Sequence, residues 1–172
     1  MSVQKILTYP DPKLRNKAKP VDTIDRKIQK LAEDMAETMY TAPGVGLAAT
    51  QLGEPIRVIT VDVSPEREAL IVLVNPEIIS SEGECTEEEG CLSLPGFKEN
   101  IRRKSKVLVK GLNHEGSEIR ITAEGLLAAA FQHEIDHLNG VLILDKVSRL
   151  KRMFFKTKLR NCGKISLQFL NG

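Results

Sequence analysis

The chain has 172 residues, a formal net charge of +2 and a hydrophobic fraction of 41%, with no tryptophan. This length predicts one domain over residues 1–172 with a sizeable hydrophobic core. The weak charge gives no reason to expect DNA as a partner, and the chain has neither an apolar run as long as a membrane span nor the apolar core of a signal peptide.

The first half of the chain predicts one helix followed by strands. A helix is expected over Asp25–Tyr40, capped by Asp22 or Thr23, because apolar residues recur there every three or four positions. A Gly-rich turn region follows at residues 41–51. Segments rich in Val and Ile predict strands at Arg57–Val63 and Ala69–Val74, the second ended by Pro76.

The second half predicts a hairpin and two helices. Residues 80–89 are acidic and are expected to be exposed. Lys106–Leu112 and Glu118–Thr122 alternate like paired strands around the turn at residues 113–116. Helices are expected at Gly125–Leu138, ended by Asn139 and Gly140, and at Val147–Arg160. Strands followed by one long helix predict an α+β fold, with small mixed or antiparallel sheets around that central helix.

The central helix carries the pattern His133-Glu134-Ile135-Asp136-His137. Because a helix turns once in about 3.6 residues, His133 and His137 project from the same face and can bind one transition metal. Glu134 stands beside the first ligand, where it can reach a metal-bound water and act as a general base. The chain has three histidines in all, and two of them form this pattern.

Two histidines leave a metal under-coordinated, since catalytic zinc-like sites use three protein ligands and keep one position for water. His114 is one candidate, although it falls in the predicted hairpin turn. Cys91 is another, in a tight segment bracketed by Gly90 and Gly96. The three cysteines, Cys85, Cys91 and Cys162, have no disulfide-framework spacing, which favours a reducing cytoplasm.

The segment Gly44-Val45-Gly46-Leu47-Ala48-Ala49-Thr50-Gln51 is a further feature. Its two glycines allow backbone to approach a ligand closely. It lacks the third glycine of a dinucleotide-binding loop and the lysine of a P-loop, so it does not predict phosphate binding. Taken alone, it is an ordinary turn.

Three segments together resemble the motifs of the peptide deformylase family. They are GVGLAATQ at residues 44–51, EGCLSLPG at residues 89–96 and QHEIDHLNG at residues 132–140. The resemblance extends over nearly the whole chain, and the short form without large insertions is similar to the bacterial type 1 branch. It implies a metallohydrolase that removes the formyl group from the N-terminal formyl-methionine of nascent polypeptides and releases formate.

The resemblance also assigns roles to residues. It implies that Cys91, His133 and His137 are the metal ligands and that Glu134 is the general acid–base residue. It places the oxyanion donors on the Gln51 side-chain amide and the Leu92 backbone N–H. The implied substrate-binding residues are Val45, Gly46, Gly90, Leu126 and Ala130. The donor set suits zinc, iron, cobalt or nickel, and the family implies Fe²⁺ as the physiological ion.

The predicted C-terminal helix is strongly basic. Seven Lys and Arg residues lie from Lys146 to Arg160. A stripe at helical spacing is expected to pack at least in part on the core, and it consists of Val147, Leu150, Met153, Phe154 and Thr157. So much positive charge suggests an anionic partner. In the family this helix can bind the ribosome, and the segment 147–172 is similar in place and charge.

Two alternatives stay open on the sequence. An HExxH zinc peptidase would need a third ligand downstream of the helix, usually His or Glu. A non-enzymatic protein with a structural metal would need four protein ligands and would have no use for Glu134 beside a water.

Overall fold

The structure, a computed structural model, describes residues 2–170 and the side-chain surroundings of residues 2–162. In that part of the chain the α-helices are α1 (Arg26–Thr41), α2 (Gly125–Leu138) and α3 (Arg149–Leu170). The strands are β1 (Gly46–Ala48), β2 (Val58–Val61), β3 (Ile71–Glu82), β4 (Cys85–Cys91), β5 (Leu94–Arg103), β6 (Lys106–Leu112) and β7 (Glu118–Glu124).

The strands form two antiparallel sheets. One has the order β1-β2-β3-β6-β7, and the other pairs β4 with β5. The α2 helix packs on the larger sheet through Ala128, Phe131, Ile135 and Leu138, all in one buried cluster with Ile59, Leu73 and Val109. This arrangement confirms the predicted α+β class, with antiparallel sheets around the HExxH helix.

The predicted bounds of the first helix hold to within one residue, but its predicted cap was wrong. Asp25 is the N-cap, because its carboxylate accepts hydrogen bonds from the backbone N–H groups of Lys27 and Ile28. The helix buries Met35 and Met39 against Leu47 and Val58 of the larger sheet.

Two strand predictions need correction. β3 does not stop at Pro76 but continues to Glu82, because a register shift between Val74 and Glu77 takes the proline out of the regular β3–β6 pairing. Residues 80–89 are not a uniformly exposed acidic segment, since they enter β3 and β4 and the Glu89 side chain is only 9% exposed. The β4–β5 hairpin was not predicted as strands.

The predicted bounds of α2, Gly125–Leu138, are confirmed. Asn139 is its C-cap, and Gly140 has a φ of +73°, the left-handed conformation that glycine adopts without strain. Gln132, one residue before the motif, binds both the backbone N–H and the backbone carbonyl of Lys104. The motif helix is therefore fixed to the turn between β5 and β6.

The α3 helix starts at Arg149, two residues later than predicted, and continues past Arg160 to Leu170. The α3 helix does pack on the core, but not through the predicted stripe. Leu150, Met153 and Phe154 are exposed, and the buried residue is Phe155, which packs edge-on against Phe97. Burying such an aromatic side chain contributes about 1.5–3 kcal/mol. No helix in the described part of the chain has the length and apolarity needed to cross a bilayer. Residues 171–172 of the predicted basic tail lie outside the described residues.

Candidate metal centre and active site

Two elements bring the predicted ligand atoms together. Cys91 ends β4, where the β4–β5 register shifts after Gly90, and His133 and His137 lie one turn apart on α2. Nε2 of His137 is 3.3 Å from the Cys91 sulfur and 3.2 Å from Nε2 of His133. The three ligand atoms all lie within 4.8 Å of one another. One ion could contact all of them.

The surroundings of this cluster favour a cation. Burial by itself lowers the pKa of His133, but contacts with Cys91 and Glu89 and the nearby charge of Glu134 raise it well above its ordinary value. Burial lowers the pKa of His137 well below its ordinary value, so that ring stays neutral and can donate a lone pair. One thiol and two imidazoles form a donor set that suits a divalent transition metal.

A buried ion pair stands behind the first histidine. Glu89 Oε2 lies 2.9 Å from Nδ1 of His133, and the same carboxylate takes two hydrogen bonds from Arg103, at 2.7 and 2.8 Å. Arg103 also donates to Asp136, inside the motif, at 2.6 Å. Burial alone would raise the pKa of Glu89, but the bonds from Arg103 and His133 lower it to about 2.

Sequence reasoning missed Glu89, Arg103 and Asp136 as parts of the site. The only available signal was the position of Glu89 next to Gly90 and Cys91, and nothing in the spacing singles out Arg103, 14 residues further along. The two residues lie on the neighbouring strands β4 and β5 but not opposite each other, since Glu89 pairs with Glu99 and Arg103 with Cys85, so their contact also depends on the reach of the long arginine side chain.

Glu134 lies beside the cluster and is 4% exposed. Burial raises its pKa to about 7. Among the described residues, its Oε2 is a buried oxygen without a hydrogen-bond partner. A carboxylate that titrates near neutral pH, with one oxygen available, can take up and release a proton during a reaction.

The Gln51 amide is held in one orientation. Its Oε1 accepts from the backbone N–H of Ala48 at 2.9 Å, and its Nε2 donates to Ser93 Oγ at 3.1 Å. Nε2 also lies 3.8 Å from the Cys91 sulfur. The N–H side of the amide therefore faces the cluster. Ser93, fully buried, is a fourth residue of the site that the sequence did not single out.

A cleft of about 770 Å³ opens onto the cluster. Its lining includes every predicted substrate-binding residue, namely Val45, Gly46, Gly90, Leu126 and Ala130, together with Gln51, Leu92 and Glu134. Leu126 and Val45 are 55% and 44% exposed, whereas Ala130 is buried. His114, the other candidate ligand, has a 63% exposed side chain in the hairpin turn and is not in the cluster.

The third donor thus comes from upstream of the helix, unlike the downstream ligand that a zinc peptidase of this motif would need. With the cluster in the wall of a cleft and a buried carboxylate beside it, the fold and the site have the groups that a metallohydrolase uses. The chain belongs to the polypeptide deformylase family, whose model matches residues 3–153.

Peptide deformylases of known sequence match this chain over nearly their whole length. A peptide deformylase of Thermodesulfovibrio yellowstonii is 54% identical over 162 residues, which are 93% of this chain and 98% of that protein. A peptide deformylase of Halothermothrix orenii is 57% identical over 150 residues, which are 87% of this chain and 97% of that protein.

Solved structures agree as well. The crystal structure of a peptide deformylase from Legionella pneumophila superposes with a TM-score of 0.91 at 49% identity, covering 96% of this chain and 98% of that one. The crystal structure of a peptide deformylase from Ehrlichia chaffeensis in complex with actinonin superposes with a TM-score of 0.90 at 39% identity. The match covers 94% of this chain and 98% of that one. The chain is accordingly a metal-dependent hydrolase that removes the formyl group from N-terminal formyl-methionine.

Proposed function

We propose that Cys91, His133 and His137 bind one divalent metal ion, that Glu134 carries the proton of the reaction, and that Gln51 and Leu92 bind the developing oxyanion. The observation that carries this proposal is the convergence of one sulfur and two Nε2 atoms within 4.8 Å in the wall of the cleft. The bound ion supplies Lewis acidity, which polarises a carbonyl and makes a water molecule more acidic.

The residues of the chain perform the remaining work. The formyl oxygen enters beside Gln51, whose Nε2 and the Leu92 backbone N–H donate hydrogen bonds as negative charge develops on that oxygen. Glu134 accepts a proton from the water that attacks the formyl carbon. It then gives that proton to the leaving amine nitrogen as the C–N bond breaks, which yields formate and a free methionine N-terminus.

The peptide lies along the cleft as an added strand. β1 is an edge strand of the larger sheet, and both β1 and β4 contribute residues to the cleft wall. Backbone groups of Gly46 and Gly90 hydrogen-bond an extended peptide in this proposal. Val45 lines the cleft beside them, and its carbonyl already accepts a hydrogen bond from the backbone N–H of Asp62 at 2.8 Å. Leu126 and Ala130, on the wall that α2 forms, contact the methionine side chain.

Replacing the proposed sulfur ligand tests the metal centre. Cys91→Ser exchanges a soft thiolate for a hard hydroxyl, so the ion should be lost to a chelator at a much lower chelator concentration. Cys85→Ser, on the same strand but outside the cluster, is the matched control and should keep wild-type metal binding. Full retention of tightly bound metal in Cys91→Ser would contradict the assignment.

The proposed physiological ion is Fe²⁺, on the strength of the family resemblance. A ferrous thiolate site should be sensitive to oxygen, because the Cys91 sulfur can be oxidised. Protein purified without oxygen should contain iron in proportion to its rate of formate release, and both should decline together in air. Anaerobically purified protein that is fully active with zinc, and without iron, would contradict this choice.

We further propose that the chain works in the cytoplasm as a single catalytic domain, and that α3 binds the ribosome. Lys156, Lys158 and Arg160 are exposed on α3 beyond the buried Phe155. Binding of such a basic surface to ribosomal RNA would be electrostatic and should weaken steeply with salt.

Substitution is a better test of α3 than truncation, because removing the helix would also remove Phe155 from the core. Changing Lys156, Lys158 and Arg160 together to Gln should reduce ribosome co-sedimentation at low salt and leave formate release from a short peptide unchanged. The exposed set Lys5, Lys17 and Lys27, changed to Gln, is the control. An equal loss of ribosome co-sedimentation in the α3 variant and in the control variant would contradict a role specific to α3.

A further inference from the structure

We propose that Gly46 is a positioning residue for Glu134, in addition to any backbone contact that it makes with the peptide. Gly46 begins β1 and pairs with Val61 of β2, and the side chain of Glu134 from α2 lies directly over its Cα. The proposal rests on the role given above to Glu134.

The contact leaves no room for a side chain at this position. A Cβ added at Gly46 would lie 2.3 Å from Oε1 of Glu134, 2.8 Å from its Cδ and 2.9 Å from its Cγ. Real Cβ atoms essentially never approach other heavy atoms within 3.0 Å. The whole outer half of the Glu134 side chain would therefore have to move to accommodate even an alanine.

Backbone conformation does not explain this glycine. Gly46 is not among the glycines with positive φ, and its neighbours in β1, Leu47 and Ala48, pair regularly with Thr60 and Ile59. An alanine could adopt the same strand conformation and keep the same backbone N–H and C=O groups. What an alanine cannot keep is the position of the carboxylate.

Displacing the Glu134 carboxylate should reduce the rate of catalysis strongly and change the stability of the fold little. Oε1, Cδ and Cγ all move when the Glu134 side chain rotates about its Cα–Cβ bond, so the clash can be relieved without a shift of the backbone. Glu134 is buried and lines the cleft, so the open space into which it can turn is the cleft. A displacement of about 1 Å at a reacting group can reduce the rate roughly 10²-fold.

Two roles for Gly46 therefore predict different results for Gly46→Ala. If the residue served only through backbone hydrogen bonds, alanine would preserve them and the rate would be nearly unchanged. If it serves by leaving room for Glu134, kcat should decrease about 10²-fold, while KM and the metal content stay close to those of the unsubstituted protein.

The experiment is a double-substitution cycle with Glu134→Ala, which removes the three atoms that lie nearest to a Cβ at position 46. Formate release, metal content and thermal unfolding are measured for the parent, Gly46→Ala, Glu134→Ala and the double variant, each loaded with the same metal. Gly46→Ala should lower kcat in the parent and leave the residual rate within about twofold when Glu134 is already Ala, because the two residues act as one unit.

Gly111→Ala is the control. Gly111 lies in β6 of the same sheet, and a Cβ there would lie 3.2 Å from both Leu73 and Val74. This variant should change the unfolding temperature without changing kcat, which separates a general effect of alanine in a tight strand position from the effect on Glu134.

Near-parental kcat in Gly46→Ala, or an equal fold-loss in both backgrounds, would overturn the proposal. If Gly46→Ala does not fold, the double variant should still fold as stably as Glu134→Ala, and its failure to do so would also overturn it. Full activity of Glu134→Ala would refute the proton-carrier role instead, and the unfolding temperatures would still report the Gly46–Glu134 contact.

Discussion

The carboxylate of Glu89 joins His133, a proposed metal ligand, to the buried guanidinium of Arg103. Its Oε2 lies 2.9 Å from Nδ1 of His133, while Arg103 holds the carboxylate through two hydrogen bonds. A carboxylate in this position favours Nδ1 as the donor, so the lone pair of Nε2 would be free to bind a metal ion. The arrangement fixes both the tautomer and the orientation of the ring.

Glu89→Gln should weaken metal binding about 10–100-fold, the usual cost of losing such a partner. The amide has the same size but carries no charge, and it can accept only one of the two hydrogen bonds from Arg103. Metal affinity is measured by competition with a chromogenic chelator. Glu88→Gln, a neighbouring exposed position on the same strand, is the control and should retain parental affinity. Equal affinity of the two variants would exclude the proposed role of Glu89.

Gln51→Ala should lower kcat by roughly 10²–10³-fold, because one of the two proposed donors to the oxyanion is removed. Metal content should be unchanged, since Gln51 is not a ligand. Steady-state kinetics on a formyl-Met-Ala peptide separates kcat from KM. An effect confined to KM would make Gln51 a substrate-binding residue and remove it from the catalytic step.

The ionised carboxylate of Asp62 should stabilise the folded protein near neutral pH, and this stabilisation should disappear in acid. Burial by itself raises its pKa, but hydrogen bonds from Ser64, Tyr40 and Ala69 leave the pKa below the ordinary value of 3.8. Because the folded-state pKa is lower than the unfolded one, the stabilisation is fully present above the unfolded pKa. It is lost as the pH falls through the folded pKa.

Asp62→Asn should therefore lower the free energy of unfolding at pH 7, by about 1.5–3 kcal/mol for each charge-assisted hydrogen bond that is lost. The difference from the parent should shrink as the pH falls below 3.8. Urea unfolding at a series of pH values measures it, with the exposed Asp22→Asn as the control. A difference that is constant with pH would show that the charge of Asp62 is not responsible.

The helices and the convergence of His133 and His137 on one face were predictable because their patterns are local. The His133–His137 spacing sets one face of α2, and the Asn139-Gly140 pair ends the helix where the left-handed glycine requires. Cys91 was different, because a lone cysteine carries no spacing signal. Only its motif context favoured it over His114, and the structure brings it into the cluster because β4 ends there.

The rest of the site depends on contacts distant in sequence. Arg103 meets Asp136 across 33 residues, and Gln51 meets Ser93 across 42, which no local pattern reports. The β4–β5 hairpin was missed because its acidic strand looks like a solvent-exposed segment. Residues of β4 alternate between half-buried and exposed, and Glu89 is one of the half-buried ones, which the acidic sequence alone does not reveal. The apolar stripe of α3 was misassigned because helical spacing alone does not tell which face meets the core.

The most direct test of the account compares formate release by the parent chain and by Glu134→Gln, both loaded with the same ion without oxygen. Glutamine keeps the shape of the side chain but cannot carry the proton. The account predicts equal metal content and a rate on formyl-Met-Ala that is lower by roughly 10²–10⁴-fold. A metal-loaded Glu134→Gln that releases formate at nearly the parental rate would contradict it.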